Sequence, residues 1–212
     1  MSLCLKQKQR IQLRHKHSIE RHGYTPAALF WSSQEIQEIR FLQFSNFIST
    51  FLNLAKRPIT ILDVGCGFGD LKFFLQQQGH VVQYTGIDVS PAMVFSGNAQ
   101  SPSLSLKEGE LFDFDFADNN FDFVFLSGAL NEVVDDNGNY ALSVIKEMYR
   151  LAKLGVGFNL LDSAQSWVKT RSDLQSFEKV RVQQFCQEFC RDVACIDDYL
   201  EIDFTILLKN KD

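Results

Sequence analysis

No apolar run in these 212 residues approaches the ~20 that a membrane-crossing helix needs, and no secretory signal pattern opens the chain. The five cysteines lack the spacing of a disulfide framework, which suits reduced thiols and an expected cytoplasmic location. Positive charge is not in excess. With 26 acidic against 21 basic residues the net charge is -5, which argues against a nucleic-acid partner, because phosphate binding draws on clustered Lys and Arg. Histidine is scarce: there are four, none beyond His80, so the rest of the chain offers no imidazole base. What the chain holds in quantity is phenylalanine, twenty residues of it, a heavy aromatic load for packing. Its length suits one domain with a sizeable core.

The most informative stretch is Ile59 to Asp70, where a β-branched apolar run reaches Gly65-Cys66-Gly67-Phe68-Gly69 and then an amphipathic segment from Leu71. That pattern predicts a strand, a tight turn and a helix, the arrangement in which a sheet presents backbone amides to a nucleotide. The charges narrow the ligand. A dinucleotide turn places a glycine where this chain has Asp70, and Asp63 closes the strand before the turn. Carboxylates on both sides repel a pyrophosphate and suit a ligand carrying an amine and a sulfonium. After a second predicted strand ending in Gly86-Ile87, Asp88 is placed to accept hydrogen bonds from ribose hydroxyls. The preferred ligand is a nucleoside without phosphates.

Elsewhere the pattern predicts alternating helices and strands. Lys6, Lys8, Arg10, Arg14 and Lys16 punctuate a polar stretch read as a solvated helix, with an arm that attracts an anionic partner as the alternative. Ser32 or Ser33 caps a helix whose apolar positions from Ile36 to Phe51 predict that it runs to Pro58. The next helix ends at Gly79, and Ser90-Pro91 opens another. Further strands are expected over 103–106, 121–126, 155–161, 193–196 and 203–208, with helices over 139–152 and 173–190. Residues 109–116 alternate Phe and Asp, and edge the site as a loop. Cys186 and Cys190 share a helix face, with Cys195 following. They read as buried thiols, since no His accompanies them to make a metal site.

The motifs Leu62-Asp63-Val64-Gly65-Cys66-Gly67-Phe68-Gly69 and Gly86-Ile87-Asp88-Val89-Ser90, supported by Phe121 to Phe125, resemble those of the class I S-adenosylmethionine (SAM) dependent methyltransferases. The resemblance implies an α/β Rossmann-like three-layer sandwich, with a seven-stranded, mostly parallel sheet whose last strand is antiparallel. It divides the chain into a basic N-terminal extension, 1–23, and a SAM-dependent methyltransferase domain, 24–212. It implies a cofactor site of Trp31, Arg40, Asp63, Gly65, Cys66, Gly67, Asp88, Val89, Met93, Glu110, Leu111, Ser127 and Gly128. Within it Asp88 takes the ribose and Glu110, at a position usually Asp, takes the adenine amino group. Leu111 offers a backbone amide, and Val89 and Met93 press on the ring. Arg40 is a candidate for the methionine carboxylate, and Cys66 is read as wall rather than nucleophile, its neighbours being acids. The small-molecule acceptor is expected near Ser127, with Asn131, Glu132 and Tyr140 as candidate catalytic groups. The Asn-Pro-Pro-aromatic run of amino-group methyltransferases is replaced here by Ser127-Gly128-Ala129-Leu130.

The cofactor then carries the difficult chemistry, and S-adenosylhomocysteine (SAH) is the product. Without an imidazole after β-strand 121–126, an acceptor that is already basic is favoured, such as a carboxylate or thiolate, and an anionic metabolite fits the basic N-terminus. Two alternatives stand beside this reading. An NAD-dependent oxidoreductase is opposed by Asp70, and a non-catalytic SAM-binding partner subunit would show itself by co-purifying with a fixed enzyme.

Overall fold

The computed structural model describes residues 2–51 and 57–210. Among these, seven strands form one mixed sheet, with β3-β2-β1 neighbours in one part of the chain and β4-β5-β7-β6 in the other. By contact density the chain falls into two compact units, Ser2–Asp115 and Phe116 onward.

In the first unit β1 (Ile59–Val64) and β2 (Val82–Asp88) pair in parallel, with Ile59 opposite Val82 and Val64 opposite Ile87. β2 continues in parallel to β3 (Leu106–Glu108). Parallel strands buried on both faces read as nearly continuous apolar runs, as β1 does: Ile61 and Leu62 are wholly buried. The α-helices of this unit among the described residues are α1 (Leu5–His22), α2 (Gln34–Ser49), α3 (Asp70–Gln77) and α4 (Pro91–Gln100). The Ser33 hydroxyl accepts from the Ile36 amide, and Ser90 accepts from Met93 ahead of Pro91. Such caps each contribute about 1 kcal/mol. The α2 face of Phe41, Phe44, Phe47 and Ile48 is buried, and Phe41 meets Phe74 of α3 at 5.7 Å between ring centroids.

Two boundaries differ from the sequence pattern. α2 stops at Ser49 rather than near Pro58, because the Thr50 amide and hydroxyl both turn back to the Phe47 carbonyl, at 3.0 and 2.8 Å. The rest of the expected helix, residues 52–56, lies outside the described residues. β3 begins at Leu106, not Ser103. The Asn98 amide brackets Leu106, accepting from its N–H at 3.3 Å and donating to its carbonyl at 3.1 Å, while Leu104 closes a turn on Ser101.

In the second unit β4 (Phe121–Ser127) and β5 (Ala152–Leu161) are parallel and joined through α5 (Asn139–Leu151). β7 (Asp203–Lys209) runs antiparallel to both β5 and β6 (Asp192–Ile196), so the last strand in sequence is inserted between two earlier ones. Phe123 and Phe125 stack on one another at 5.7 Å and sit opposite Gly155 and Gly157 of β5, where no side chain competes for the space. A short α6 (Ser166–Lys169) precedes α7 (Lys179–Gln187). The pattern had predicted helix from residue 173, but Leu174 and Phe177 form isolated bridges with Glu132 and Asp162 and delay its start. Cys186 and Cys190 are buried. No helix among the described residues is long and apolar enough to cross a membrane.

Candidate functional site

The turn after β1 is stitched to the end of β2. The Gly65 and Cys66 amides donate to the Ile87 carbonyl at 2.8 and 3.0 Å, and the Gly67 amide donates to Asp88 Oδ2 at 2.9 Å. The other carboxylate oxygen of Asp88 accepts from the Ser90 amide at 2.8 Å, so this one side chain fixes both the glycine turn and the start of α4. Gly67 has a φ of 55° and its position for a Cβ lies 2.6 Å from Leu29 Cδ2. Backbone strain disfavours a side chain there, and the end of the Leu29 side chain would have to shift to admit one.

Three carboxylates surround the turn. Asp63 is buried, and the Tyr84 hydroxyl donates to its Oδ2 at 2.6 Å. Burial lifts the Asp63 carboxyl to about 7; the Tyr84 hydrogen bond opposes the rise, and the charges of Asp88 and Asp70 add to it. Asp70, the first residue of α3, accepts from Gln37 Nε2 at 3.0 Å. Burial raises Asp70 as well, and raises Tyr24 to about 12. Cys66 is pushed well above the usual thiol range by burial and then by the charges of Asp88 and Asp63. Its sulfur lies against Gly86 of β2, where a Cβ would approach to 2.8 Å, so it is an inert packing thiol beneath the turn.

The remaining cofactor candidates of this unit fall into two groups. In the group read as facing adenosine, Met93 is buried with Ala28 and Phe68, flanked by Ile19 and Leu29. The Val89 carbonyl accepts from Gln12 Nε2 at 2.8 Å. Glu110 caps a 3-10 turn over Leu111–Asp113, so residues 109–116 are a loop with one tight turn. Its Oε2 accepts from the Leu3 amide at 3.0 Å, and its Oε1 is 3.3 Å from Lys8 Nζ. The stretch read as a solvated helix thus reaches Val89 and Glu110. At the other end Trp31 and Arg40 are brought together, the guanidinium 4.4 Å from the ring centroid. Arg40 is buried and donates to the Ile36 carbonyl of its own helix at 2.8 Å. A cleft of ≈ 270 Å³ is lined by Tyr24, Gln37, Glu38, Phe68 and Asp70, among others.

In the second unit Ser127 ends β4, and Gly128, with φ 74°, turns the chain into a 3-10 turn over Ala129–Asn131. Asn131 Oδ1 accepts from the Leu161 amide at 3.2 Å, and its carbonyl accepts from the Gln175 amide at 2.8 Å, so Asn131 braces the loop. Glu132 bridges Leu174, and the Tyr140 amide donates to Asp136 in the first turn of α5. Among the described residues no group of three or more His, Cys, Asp or Glu is placed to hold a metal ion.

Sequence reasoning missed Tyr84, Gln37, Lys8 and Gln12. Tyr84 was open to discovery, because it sits opposite Ile61 in the β1–β2 register, on the face shared with Asp63. Lys8 and Gln12 are four residues apart on one helix face, a spacing the basic residues around them concealed.

Comparison with known proteins places this geometry. A family model described as a methyltransferase domain matches residues 61–155. Rv1506c of Mycobacterium tuberculosis H37Rv, provisionally named a methyltransferase, is 31% identical over 163 residues, 73% of this chain and 95% of that protein. The demethylmenaquinone methyltransferase of Listeria welshimeri is 32% identical over 119 residues, and the match spans 52% of this chain but about half of that protein, 47%. Among solved structures, magnesium protoporphyrin IX methyltransferase from Synechocystis PCC 6803, with bound SAM, superposes with a TM-score of 0.66 over 100% of both chains at 12% identity.

Proposed function

Because the chain belongs to the class I SAM-dependent methyltransferases, we propose that it methylates a small-molecule acceptor by in-line displacement and releases SAH. The observation that carries this reading is the glycine turn bounded by Asp63, Asp70 and Asp88, with the Gly67 amide held on Asp88. Carboxylates in that position favour a cationic nucleoside over a pyrophosphate. When bound, SAM supplies a methyl on a sulfonium leaving group, and the acceptor's lone pair takes the carbon as the sulfur takes the bonding electrons.

The protein's own part is to hold and orient. Asp88 is fixed by two amides with lone pairs left for ribose hydroxyls. Val89, Met93, Glu110 and the Leu111 amide form the adenine side, and Gly65, Gly67 and the ionised Asp63 the methionine side. Trp31 stacks on Arg40, which would meet the carboxylate by exchanging its bond to Ile36. Ser127 and Gly128 are assigned to the methyl-transfer end, with Glu132 and Tyr140 as acceptor-side groups. Asn131 supports them through the Leu161 amide.

The acceptor is proposed to be an anionic metabolite, for two reasons. α1 carries Lys6, Arg10 and Arg14, and no imidazole follows His80 to remove a proton from a neutral acceptor. Two of the relatives are named for a demethylmenaquinone and for magnesium protoporphyrin IX, which are small organic molecules. The test is incubation with labelled SAM and a metabolite extract, with thermal shifts by SAM, SAH and NAD run alongside. Stabilisation by SAM and SAH, with label in a small acidic product, supports the proposal. Stabilisation by NAD alone would end it.

A further inference from the structure

The N-terminal helix lies on the groups assigned to adenosine, and it holds them by contacts a ligand can replace. The Glu110 side chain is only 3% exposed, with Leu3 N–H on one oxygen and the Lys8 ammonium beside the other. Lys8 also donates to Asp113 at 3.1 Å. One helical turn further on, Gln12 occupies the Val89 carbonyl. A carboxylate so enclosed has little surface for an amino group from adenine until Leu3 or Lys8 withdraws. The first half of α1 is weakly anchored in return: from Leu5 to Leu13 only Ile11 is buried, while Leu5 and Leu13 are exposed at 72% and 54%. Segments with few buried apolar contacts open at low cost.

We propose that Lys8 and Gln12 are positioning residues of the cofactor site, and that adenine exchanges with them. In the free protein they hold Glu110 and the Val89 carbonyl in place. As the nucleoside enters, its amino group replaces Leu3 N–H and Lys8 on Glu110, and the first half of α1 lifts. Ligand binding and release of α1 are then one equilibrium, since the enclosed Glu110 side chain leaves an amino group no approach while Leu3 and Lys8 lie on it. The inference rests on the assignment of Glu110 to the adenine amino group.

The exchange is read on the intact protein with SAH as probe. Hydrogen exchange at the amides of Gln9 to Leu13 is expected to quicken several-fold at saturating SAH. Unchanged or slower exchange overturns the proposal. By calorimetry Lys8→Met is expected to tighten SAH about two- to five-fold, the worth of a partly exposed ion pair lost by the competitor. An unchanged or weaker affinity in that variant also overturns it. Glu110→Gln separates this from the adenine assignment beneath it. If that variant loses affinity while α1 exchange in the wild type stays unmoved by SAH, the exchange with α1 alone fails. If Glu110→Gln leaves affinity unchanged, the adenine assignment fails and the proposal with it.

Discussion

Replacing Asp63 by Asn should stabilise the protein at neutral pH and weaken its grip on SAM. The wild-type carboxyl stands at about 7 against an ordinary 3.8, with burial as the main cause. At ~1.4 kcal/mol per pH unit, that gap corresponds to at most about 4 kcal/mol between the neutral and ionised forms in the folded state. The sign follows from the direction of the shift. The folded state binds this proton more tightly than the unfolded chain does. Its stabilising contribution is therefore complete below about pH 4 and is lost as pH rises through about 7. The Asp63→Asn side chain is neutral at every pH, has the same shape, and still offers an oxygen to the Tyr84 hydroxyl. Urea denaturation of both proteins from pH 4 to 8.5 should show nearly equal stabilities at the acid end. The variant should gain on the order of 2–4 kcal/mol by pH 8, which in a chain of this size raises Tm by roughly 10 °C. Titrating groups distant from Asp63 cancel in the difference. A gap that is the same at pH 4 and pH 8 would refute the assignment of a raised carboxyl to Asp63. In the wild type, SAM binding should strengthen from pH 6 to 8 more than SAH binding, because only SAM brings a sulfonium to the ionised carboxylate.

Other substitutions test the same turn. Asp88→Ala should weaken SAM by ~1 to 3 kcal/mol in a calorimetric titration, and should lower stability too, because the buried Gly67 and Ser90 amides lose their acceptor. Gly67→Ala should cost on the order of 1–3 kcal/mol in denaturation, from the φ of 55° and the contact with Leu29; shortening the neighbour in Gly67→Ala/Leu29→Ala should recover the contact part only. Arg40→Ala should raise the Kd of SAM more than that of decarboxylated SAM, and equal effects on both would remove Arg40 from the carboxylate role. Cys66→Ser should leave methyl transfer within a few-fold of wild type, since the buried thiol is held protonated; a loss of several orders of magnitude would contradict that.

Much of this protein is determined by local pattern. A strand of buried apolar residues running into Gly65, Gly67 and Gly69 needs only the steric freedom of glycine and the period of a strand to be recognised, and Asp63, Asp70 and Asp88 are placed by sequence distance from that turn. Ser33 and Ser90 likewise announce the helices they cap. The helix ends, the start of β3 and the delay of α7 were decided by hydrogen bonds to partners near and far in sequence: Thr50 to Phe47, Asn98 to Leu106, and the strand-like backbone bridges of Leu174 and Phe177. The same holds for the insertion of β7 between β5 and β6, which depends on register rather than on composition. Most of all, the N-terminal helix has a polar, basic sequence that any solvated helix could carry. That Lys8 meets Glu110, 102 positions away, and that Gln12 meets Val89 are facts of folding. Electrostatic pairing of this kind leaves no periodicity behind, because one charge finds another in space without reference to its neighbours in the chain.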